Sequence, residues 1–205
     1  MINYPTLTQA IILWQESLSG IIDVCSQSKQ IEYIHHTVGV AESAYKIAQK
    51  CNLDAEKAYV LGLLHDYGKI QNEKQTGIAH FIVGYDKMMK EGFDKVANIC
   101  LSHSFPSKDF SFGNYTSYNI NDLKKAKKIL SGLEYDDYDR LIQLCDMFFE
   151  GMSKVSYQER LIGIINRYNL KKEQVKDLEY GAKTNKKYFD NLCGCDIYDI
   201  LNIKN

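Results

Sequence analysis

An adjacent histidine and aspartate, His65-Asp66, follow the apolar run Leu63-Leu64 in a chain that has only five histidines. Neutral imidazole nitrogen and carboxylate oxygen are both good ligands for iron, manganese, cobalt or zinc. Two such polar groups at the end of an apolar helix are costly to bury unless a partner such as a divalent metal compensates them. The dipeptide alone is a weak signal, because a helix-terminal histidine beside a capping aspartate gives the same pattern.

The other histidines strengthen the hypothesis of a metal site. Four of the five fall at inward or terminal positions of separate predicted helices: His36, His65, His80 and His103. Asp146 lies inside the apolar segment 141–149, where an unpaired carboxylate would be expensive, so a cationic group should face it. His35 points about 100° away from His36 around a helix and is predicted to lie at the surface.

The order of these residues resembles the H…HD…D signature of the HD-superfamily metal-dependent phosphohydrolases. The resemblance covers about residues 34–150. His36-Thr-Val-Gly-Val-Ala resembles the first-ligand helix of the family, Leu-Leu-His-Asp-Tyr-Gly-Lys its HD turn, and Leu144-Cys-Asp146-Met its last-ligand helix. The resemblance implies a first metal whose ligands are His36, His65, Asp66 and Asp146.

His80 and His103 match the extra histidines of the binuclear subgroup, which implies that they bind a second ion and that Asp66 can bridge the two. Satisfied core histidines are the alternative for both residues. His103 closes the apolar face of its helix and is expected at the rim where substrate could enter. The implied cofactor is two divalent transition metal ions, with iron first and manganese, cobalt, nickel or zinc as alternatives.

The resemblance implies hydrolysis of a phosphoester or phosphoanhydride by a metal-activated water. Asp66 and Lys69 are the candidate catalytic residues. Lys69 could meet a phosphate oxygen or could simply complete the end of the helix. The expected substrate is a nucleotide, because the HDYGK turn and the extra histidines look most like compact bacterial proteins that split diadenosine tetraphosphate symmetrically. Those proteins usually have alanine where Gly68 stands.

Two other functions stay open for the same ligands. Some small HD-fold proteins with this set are mixed-valent di-iron oxygenases, and a non-catalytic nucleotide-sensing module is a third hypothesis. A cyclic di-GMP phosphodiesterase is disfavoured because no GYP element follows His103. A guanosine tetraphosphate hydrolase would need an acidic pair soon after the HD turn, where this chain has Ile-Gln-Asn-Glu-Lys.

Helical spacing of apolar residues almost throughout predicts an all-α fold, an HD-domain helical bundle with a short C-terminal helical extension. Asp54 and Asp94 are predicted helix N-caps, and Ser156 with Glu159 has the spacing of a capping box. The aperiodic segment 104–121 predicts a long loop. The predicted helices cover about 7–25, 36–50, 54–65, 76–90, 94–103, 122–131, 136–149, 156–168 and a last long segment from about 175 to 189.

The 205 residues, 45% hydrophobic, suffice for one domain. We expect residues 1–30 to form an N-terminal helix on the core, 31–150 the HD domain and 151–205 a C-terminal extension of the same domain. Near-balanced charge, 25 basic against 26 acidic residues, predicts a phosphorylated small molecule as partner and no nucleic-acid polymer. The sequence shows no signal peptide or membrane span, so a cytoplasmic protein is predicted, and a homodimer is left open.

Six scattered cysteines are interpreted as free thiols. Cys193-Gly194-Cys195 could be half of a zinc site or a redox pair, but no partnering CxxC or histidine lies nearby in the sequence.

Overall fold

The computed structural model of the protein describes residues 4–70, 77–108 and 118–204. Within them the chain forms ten α-helices and one two-stranded antiparallel ladder, which confirms the all-α prediction. The helices are α1 (Leu7–Val24), α2 (Gln27–Lys50), α3 (Ala55–Leu64), α4 (His80–Lys90), α5 (Asp94–Ser102), α6 (Ile120–Ser131), α7 (Asp137–Asp146), α8 (Tyr157–Tyr168), α9 (Lys176–Cys193) and α10 (Ile197–Leu201). The ladder pairs β1 (Phe149–Glu150) with β2 (Ser153–Lys154), and single 3-10 turns cover Tyr67–Ile70 and Lys172–Val175.

Helix α1 holds both α2 and the turn that follows the His-Asp pair. Trp14 Nε1 donates a hydrogen bond to Thr37 Oγ1 over 2.9 Å. Ser17 Oγ donates a hydrogen bond to the Tyr67 carbonyl over 3.1 Å. Because its proton is used there, Ser17 Oγ accepts a second hydrogen bond from the Tyr33 hydroxyl at 2.7 Å. Ser17 is fully buried, so these bonds are shielded from water and fix three segments relative to one another.

Helix α2 begins at Gln27, more than two turns before the predicted start near His36. Ser26 precedes it in an extended conformation, and no proline or glycine interrupts the chain before Gly39. The polar first turns have no apolar periodicity, which is why the sequence pattern missed them. His36 therefore lies in the interior of a long helix, and the neighbouring His35 is exposed as predicted.

Helix α3 leads directly into the His-Asp pair. The Asp54 side chain accepts a hydrogen bond from the Lys57 backbone N–H, which confirms the predicted N-cap. The buried face of α3 includes Leu61 and Leu64, and His65 is its C-terminal cap residue. Because this face packs in the core, His65 and Asp66 at the end of α3 are also buried.

Two glycines let α4 pack closely against the HD turn. A Cβ atom at Gly68 would overlap the His80 carbonyl oxygen and lie 2.7 Å from the Gly84 nitrogen. A Cβ atom at Gly84 would lie 2.9 Å from Cys100 Cβ on α5. The close approach of these segments therefore requires glycine at both positions.

Several predicted boundaries differ from the structure. Helix α4 begins at His80, and residue 76, where this helix was predicted to begin, lies outside the described residues. Phe93, rather than Asp94, occupies the N-cap position of α5, and its side chain makes no capping hydrogen bond. The predicted loop 104–121 includes residues 109–117, which also lie outside the described ones, and α6 begins at Ile120. Helix α7 ends at Asp146, because the chain then turns into the short ladder.

The interpretation of all six cysteines as free thiols is wrong, because Cys51 and Cys193 form a disulfide across 142 positions of sequence. Cys51 caps the C-terminus of α2 and Cys193 ends α9, so the packing of two helix ends brings the sulfurs together. Cys193 is therefore not available to form a zinc half-site or a redox pair with Cys195. The remaining four cysteines are free.

One apolar core runs through the chain from its first helix to its last. It contains Ala10 and Leu13 of α1, and residues of the last two helices such as Phe189 and Leu201. Smaller clusters lie beneath α6 and between α8 and α9. In the described part of the chain, no helix is both long and apolar enough to cross a membrane.

Candidate metal centre

Four side chains from three helices converge on one point. His36 Nε2 lies 3.2 Å from His65 Nε2, and Asp66 Oδ2 lies 3.4 Å from each of these nitrogens. Asp146 Oδ1 lies 3.0 Å from His36 Nε2 and 3.8 Å from His65 Nε2. His36, His65 and Asp66 lie close enough to one another to act together as ligands of one ion. With Asp146 next to His36, they are the four residues that the sequence predicts for a first metal.

A second group lies on the other side of Asp66. The Asp66 Oδ1 atom is 3.6 Å from His80 Nε2 and 3.5 Å from His103 Nε2, and the two histidine nitrogens are 3.4 Å apart. One carboxylate therefore faces two histidine pairs, His36 with His65 through Oδ2 and His80 with His103 through Oδ1. This is the arrangement expected of a bridging ligand.

Backbone carbonyls orient two of the imidazoles. His65 Nδ1 lies 2.7 Å from the Gly62 carbonyl oxygen, and His103 Nδ1 lies 3.1 Å from the Ile99 carbonyl oxygen. A carbonyl can only accept, so each Nδ1 carries the proton and each Nε2 presents its lone pair to the cluster.

The electrostatics keep His65, Asp66 and Asp146 in a form suited to cations. Burial lowers the pKa of His65 to about 4, with the Asp66 charge opposing the shift, so the imidazole is neutral near pH 7. Burial raises the pKa of Asp66, but the nearby Lys69 charge outweighs burial and holds that pKa well below its usual value. Burial also raises the pKa of Asp146, but hydrogen bonding to His36 outweighs burial and lowers that pKa. Both carboxyl groups are therefore ionised.

The donor set fits a metal better than it fits a metal-free polar cluster. Asp66 Oδ1 is buried and receives no hydrogen bond within the described residues. An ionised oxygen in that position is costly unless a cation compensates it. A divalent ion among Asp66, His80 and His103 would satisfy it, and imidazole with carboxylate suits iron, zinc or manganese.

The exposed fractions of the side chains reveal which side of the cluster is open. His65 and Asp66 are 0% and 2% exposed, whereas His36 is 13%, Asp146 21% and Lys69 44% exposed. The cluster therefore meets solvent beside Asp146 and Lys69.

His103 does not lie at the rim, contrary to the prediction, because its side chain is only 3% exposed. The Lys69 ammonium pairs with Asp66 Oδ2 from the open side. Burial lowers the pKa of Lys69, but the Asp66 charge and hydrogen bond outweigh it and raise the pKa, so Lys69 is positive.

A buried polar network next to His103 was missed by the sequence reasoning. Ser102 Oγ donates to Asp139 Oδ1 over 2.8 Å, and Lys95 Nζ lies 2.6 Å from Asp139 Oδ2. The Gln143 amide donates to the Ser102 carbonyl over 3.1 Å, and Asn185 donates to Gln143 Oε1 over the same distance. These bonds fix the residue that precedes His103.

A signal for this network was present in α7. Asp139, Gln143 and Asp146 follow one another at spacings of four and three, which places them on one face of the helix. A polar stripe on a helix of otherwise apolar inward residues marks a face that packs on polar partners. Asn185 had no comparable signal, because its partner lies on another helix.

Comparison with known proteins agrees with this geometry. The family model described as HD domain matches residues 33–148, which is more than half of the chain. The chain is 36% identical over 86 residues to a tRNA (cytidine(56)-2'-O)-methyltransferase of Thermoplasma volcanium, a match that covers 41% of this chain and 25% of that protein. It is 41% identical over 61 residues to ribonuclease Y of Mesoplasma florum, which covers 30% of this chain and 12% of that protein. The chain thus spans a small part of each relative, and no solved structure matches it.

A helical bundle that directs histidine and aspartate side chains from separate helices to one point has the architecture of a metal-dependent hydrolase domain. With residues 33–148 matched, the chain belongs to the HD domain family, whose activity is of the metal-dependent phosphohydrolase type.

Proposed function

We propose that the protein is a binuclear metal-dependent phosphohydrolase that cleaves a phosphoester or phosphoanhydride bond of a nucleotide. The observation that carries the proposal is the placement of the two Asp66 oxygens between two histidine pairs, at 3.4 Å from His36 and His65 and at 3.5 and 3.6 Å from His103 and His80. Iron is the first expectation for the ions from the family resemblance, and the candidate ligands, all imidazole nitrogen or carboxylate oxygen, also suit zinc or manganese.

Divalent ions held by these residues supply Lewis acidity, neutralise phosphate oxygens and make water nucleophilic near neutral pH. The protein residues contribute orientation and charge. The substrate approaches from the open side, where Lys69 carries a positive charge that can hold a phosphate oxygen. Asp146 is partly exposed on the same side.

The substrate class is proposed from the sequence resemblance, with diadenosine tetraphosphate as the leading candidate. Gly68 replaces the usual alanine of those proteins, and in this chain the close approach of α4 accounts for the glycine. The name of the ribonuclease Y relative adds an RNA phosphodiester as a second substrate to test. Cleavage of such an RNA would contradict the prediction that the protein has no nucleic-acid polymer as partner.

The first test combines metal analysis with activity. Protein purified without chelator under anaerobic conditions is expected to contain iron or another transition metal, and to release phosphate or split the anhydride of nucleotides in preference to aryl phosphates. Diadenosine tetraphosphate, nucleoside diphosphates and a short single-stranded RNA form the substrate panel. Oxygen consumption with a mixed-valent iron EPR signal and no phosphate release would instead assign the oxygenase function.

Asp66→Ala removes the carboxylate shared by both groups of ligands. We expect turnover to fall more than about a hundredfold and the metal content to drop. Lys69→Ala should lower turnover less, because it leaves every ligand in place. The exposed His35→Ala is the matched control and should keep wild-type activity. Wild-type turnover by Asp66→Ala would show that the activity belongs to another site or a contaminant.

A further inference from the structure

A second polar cavity lies apart from the candidate metal ligands. Its volume is about 400 Å³, and its lining combines the segment after α5, the connection between α6 and α7, α7 itself and the middle of α9. Small-molecule sites commonly measure roughly 300–1,000 Å³, so a molecule of the size of a mononucleotide can fit. None of the six candidate ligands of the metal centre lines this cavity.

The cavity forms where α9 docks on the HD domain. A Cβ atom at Gly181 would overlap the Pro106 side chain, so the glycine lets α9 approach the segment after α5 closely. Residues 176–193 lie outside the range matched by the family model, whereas Pro106 and Gln143 lie within it. The lining is thus made jointly by the family domain and by the helices that follow it.

Two cations line the cavity without carboxylate partners. Lys108 Nζ donates to the Leu133 carbonyl and lies 4.5 Å from the centre of the Tyr135 ring. The Arg140 guanidinium lies 5.6 Å from the centre of the Tyr188 ring. Both side chains are half-buried, and neither forms an ion pair within the described residues. Partly desolvated, unpaired cations in a concave site attract anions.

The buried wall of the cavity carries an amide with free hydrogen-bonding capacity. Asn185 is only 5% exposed, and one of its N–H groups donates to Gln143 Oε1 over 3.1 Å. Its side-chain oxygen accepts no hydrogen bond within the described residues. Because Asn185 lines the cavity, its side-chain oxygen can accept a hydrogen bond from a ligand there.

We propose that this cavity binds a phosphorylated small molecule of nucleotide size, at a site separate from the metal centre. Lys108 and Arg140 hold its phosphate groups, and Asn185 accepts a hydrogen bond from its uncharged part. Glu134 is the acidic residue of the lining and is exposed, so the buried part of the site keeps its positive charge.

The test measures binding of ADP and of inorganic pyrophosphate by calorimetry to the metal-loaded protein and to Asp66→Ala. We expect ADP to keep one binding event in Asp66→Ala, because the cavity contains none of the metal ligands. The double variant Lys108→Gln/Arg140→Gln should weaken that event at least about tenfold, since each lost charge removes a charge-assisted hydrogen bond. Its metal content should equal that of the wild type.

Lys124→Gln/Lys127→Gln is the matched control, because it removes two positive charges from exposed positions of α6. It should bind ADP like the wild type, which separates a built site from general charge attraction. Should Asp66→Ala prove unfolded by circular dichroism, the metal-loaded wild type is expected to bind one more equivalent of ADP than Lys108→Gln/Arg140→Gln. Equal ADP affinity in that double variant, or no binding of either probe to the wild type, overturns the proposal.

Discussion

His80 and His103 distinguish a site for two ions from a site for one. Both are buried with Nε2 3.4 Å apart, and together they face the Asp66 oxygen that receives no hydrogen bond in the described residues. A pair of core histidines without an ion would leave this buried carboxylate oxygen uncompensated. A cation held by Asp66, His80 and His103 would compensate it.

Replacement of either histidine should therefore remove the second ion while the first remains. We expect His80→Ala and His103→Ala each to lower the metal content from about two ions per chain toward one, without loss of helical circular dichroism. Elemental analysis measures the content, and His35→Ala serves as the control because His35 is exposed beside His36. An unchanged metal content in both variants would identify a mononuclear site with two core histidines.

At the scale of the elements, the contact between the HD turn and α4 determines where His80 lies. Gly68 abuts the backbone of His80 and Gly84, and Gly84 in turn abuts Cys100. Cys100 also donates from Sγ to the Leu64 carbonyl over 3.3 Å, so α5 is joined to the end of α3 at the same place. The two groups of ligands are held together by these close backbone contacts.

Gly68→Ala is expected to destabilise this contact, because the added methyl group would overlap the His80 carbonyl oxygen and must displace α4. The free energy of unfolding should fall by about 1–3 kcal/mol, as for other overpacked sites. Metal content at the second site should fall as well, since His80 moves with α4. Urea unfolding and elemental analysis measure the two effects.

Gly132→Ala is the matched control for this prediction. Gly132 ends α6 with a φ of −97°, and the nearest atom to an added Cβ lies 3.8 Å away. It should change stability by much less than Gly68→Ala. Equal stability of the two variants would mean that the HD turn and α4 are not in close contact in solution.

At the scale of the whole molecule, the disulfide joins the end of α2 to the end of α9. Phe189, one turn before the end of α9, is fully buried in the core shared with α1, so the last helices are also held by apolar packing. Disulfides persist mainly in oxidising compartments, with intracellular proteins of hyperthermophiles as an exception. The cytoplasmic location therefore stays a prediction, as does the division into segments at residues 30 and 150.

Loss of the disulfide should lower stability under oxidising conditions, because the bond closes a loop of 142 positions in the unfolded chain. We expect Cys51→Ser to reduce the free energy of unfolding by about 2–5 kcal/mol. The difference should vanish when wild type and variant are compared with reductant, and Cys195→Ser should be neutral because Cys195 is free. A wild-type midpoint for Cys51→Ser without reductant would contradict the bond.

The sequence by itself determined the fold class and the identity of the candidate ligands. Helical spacing of apolar residues reports the inward face of each helix, and a histidine or aspartate on that face stands out because burial is costly for it. His36, His65, Asp66 and Asp146 were found in this way together with the family resemblance. Capping residues such as Asp54 acted through contacts within four residues, which a sequence pattern can detect.

Only the tertiary structure decided which side chains meet across helices. The pairing of each Asp66 oxygen with its own two histidines, the Cys51–Cys193 bond and the contact of Asn185 with Gln143 all depend on how separate helices pack. The open side of the metal centre, beside Lys69 rather than His103, depends on the same packing. The physical reason is that periodicity along one helix specifies a face, whereas the choice of the opposing helix comes from the summed packing of the whole core.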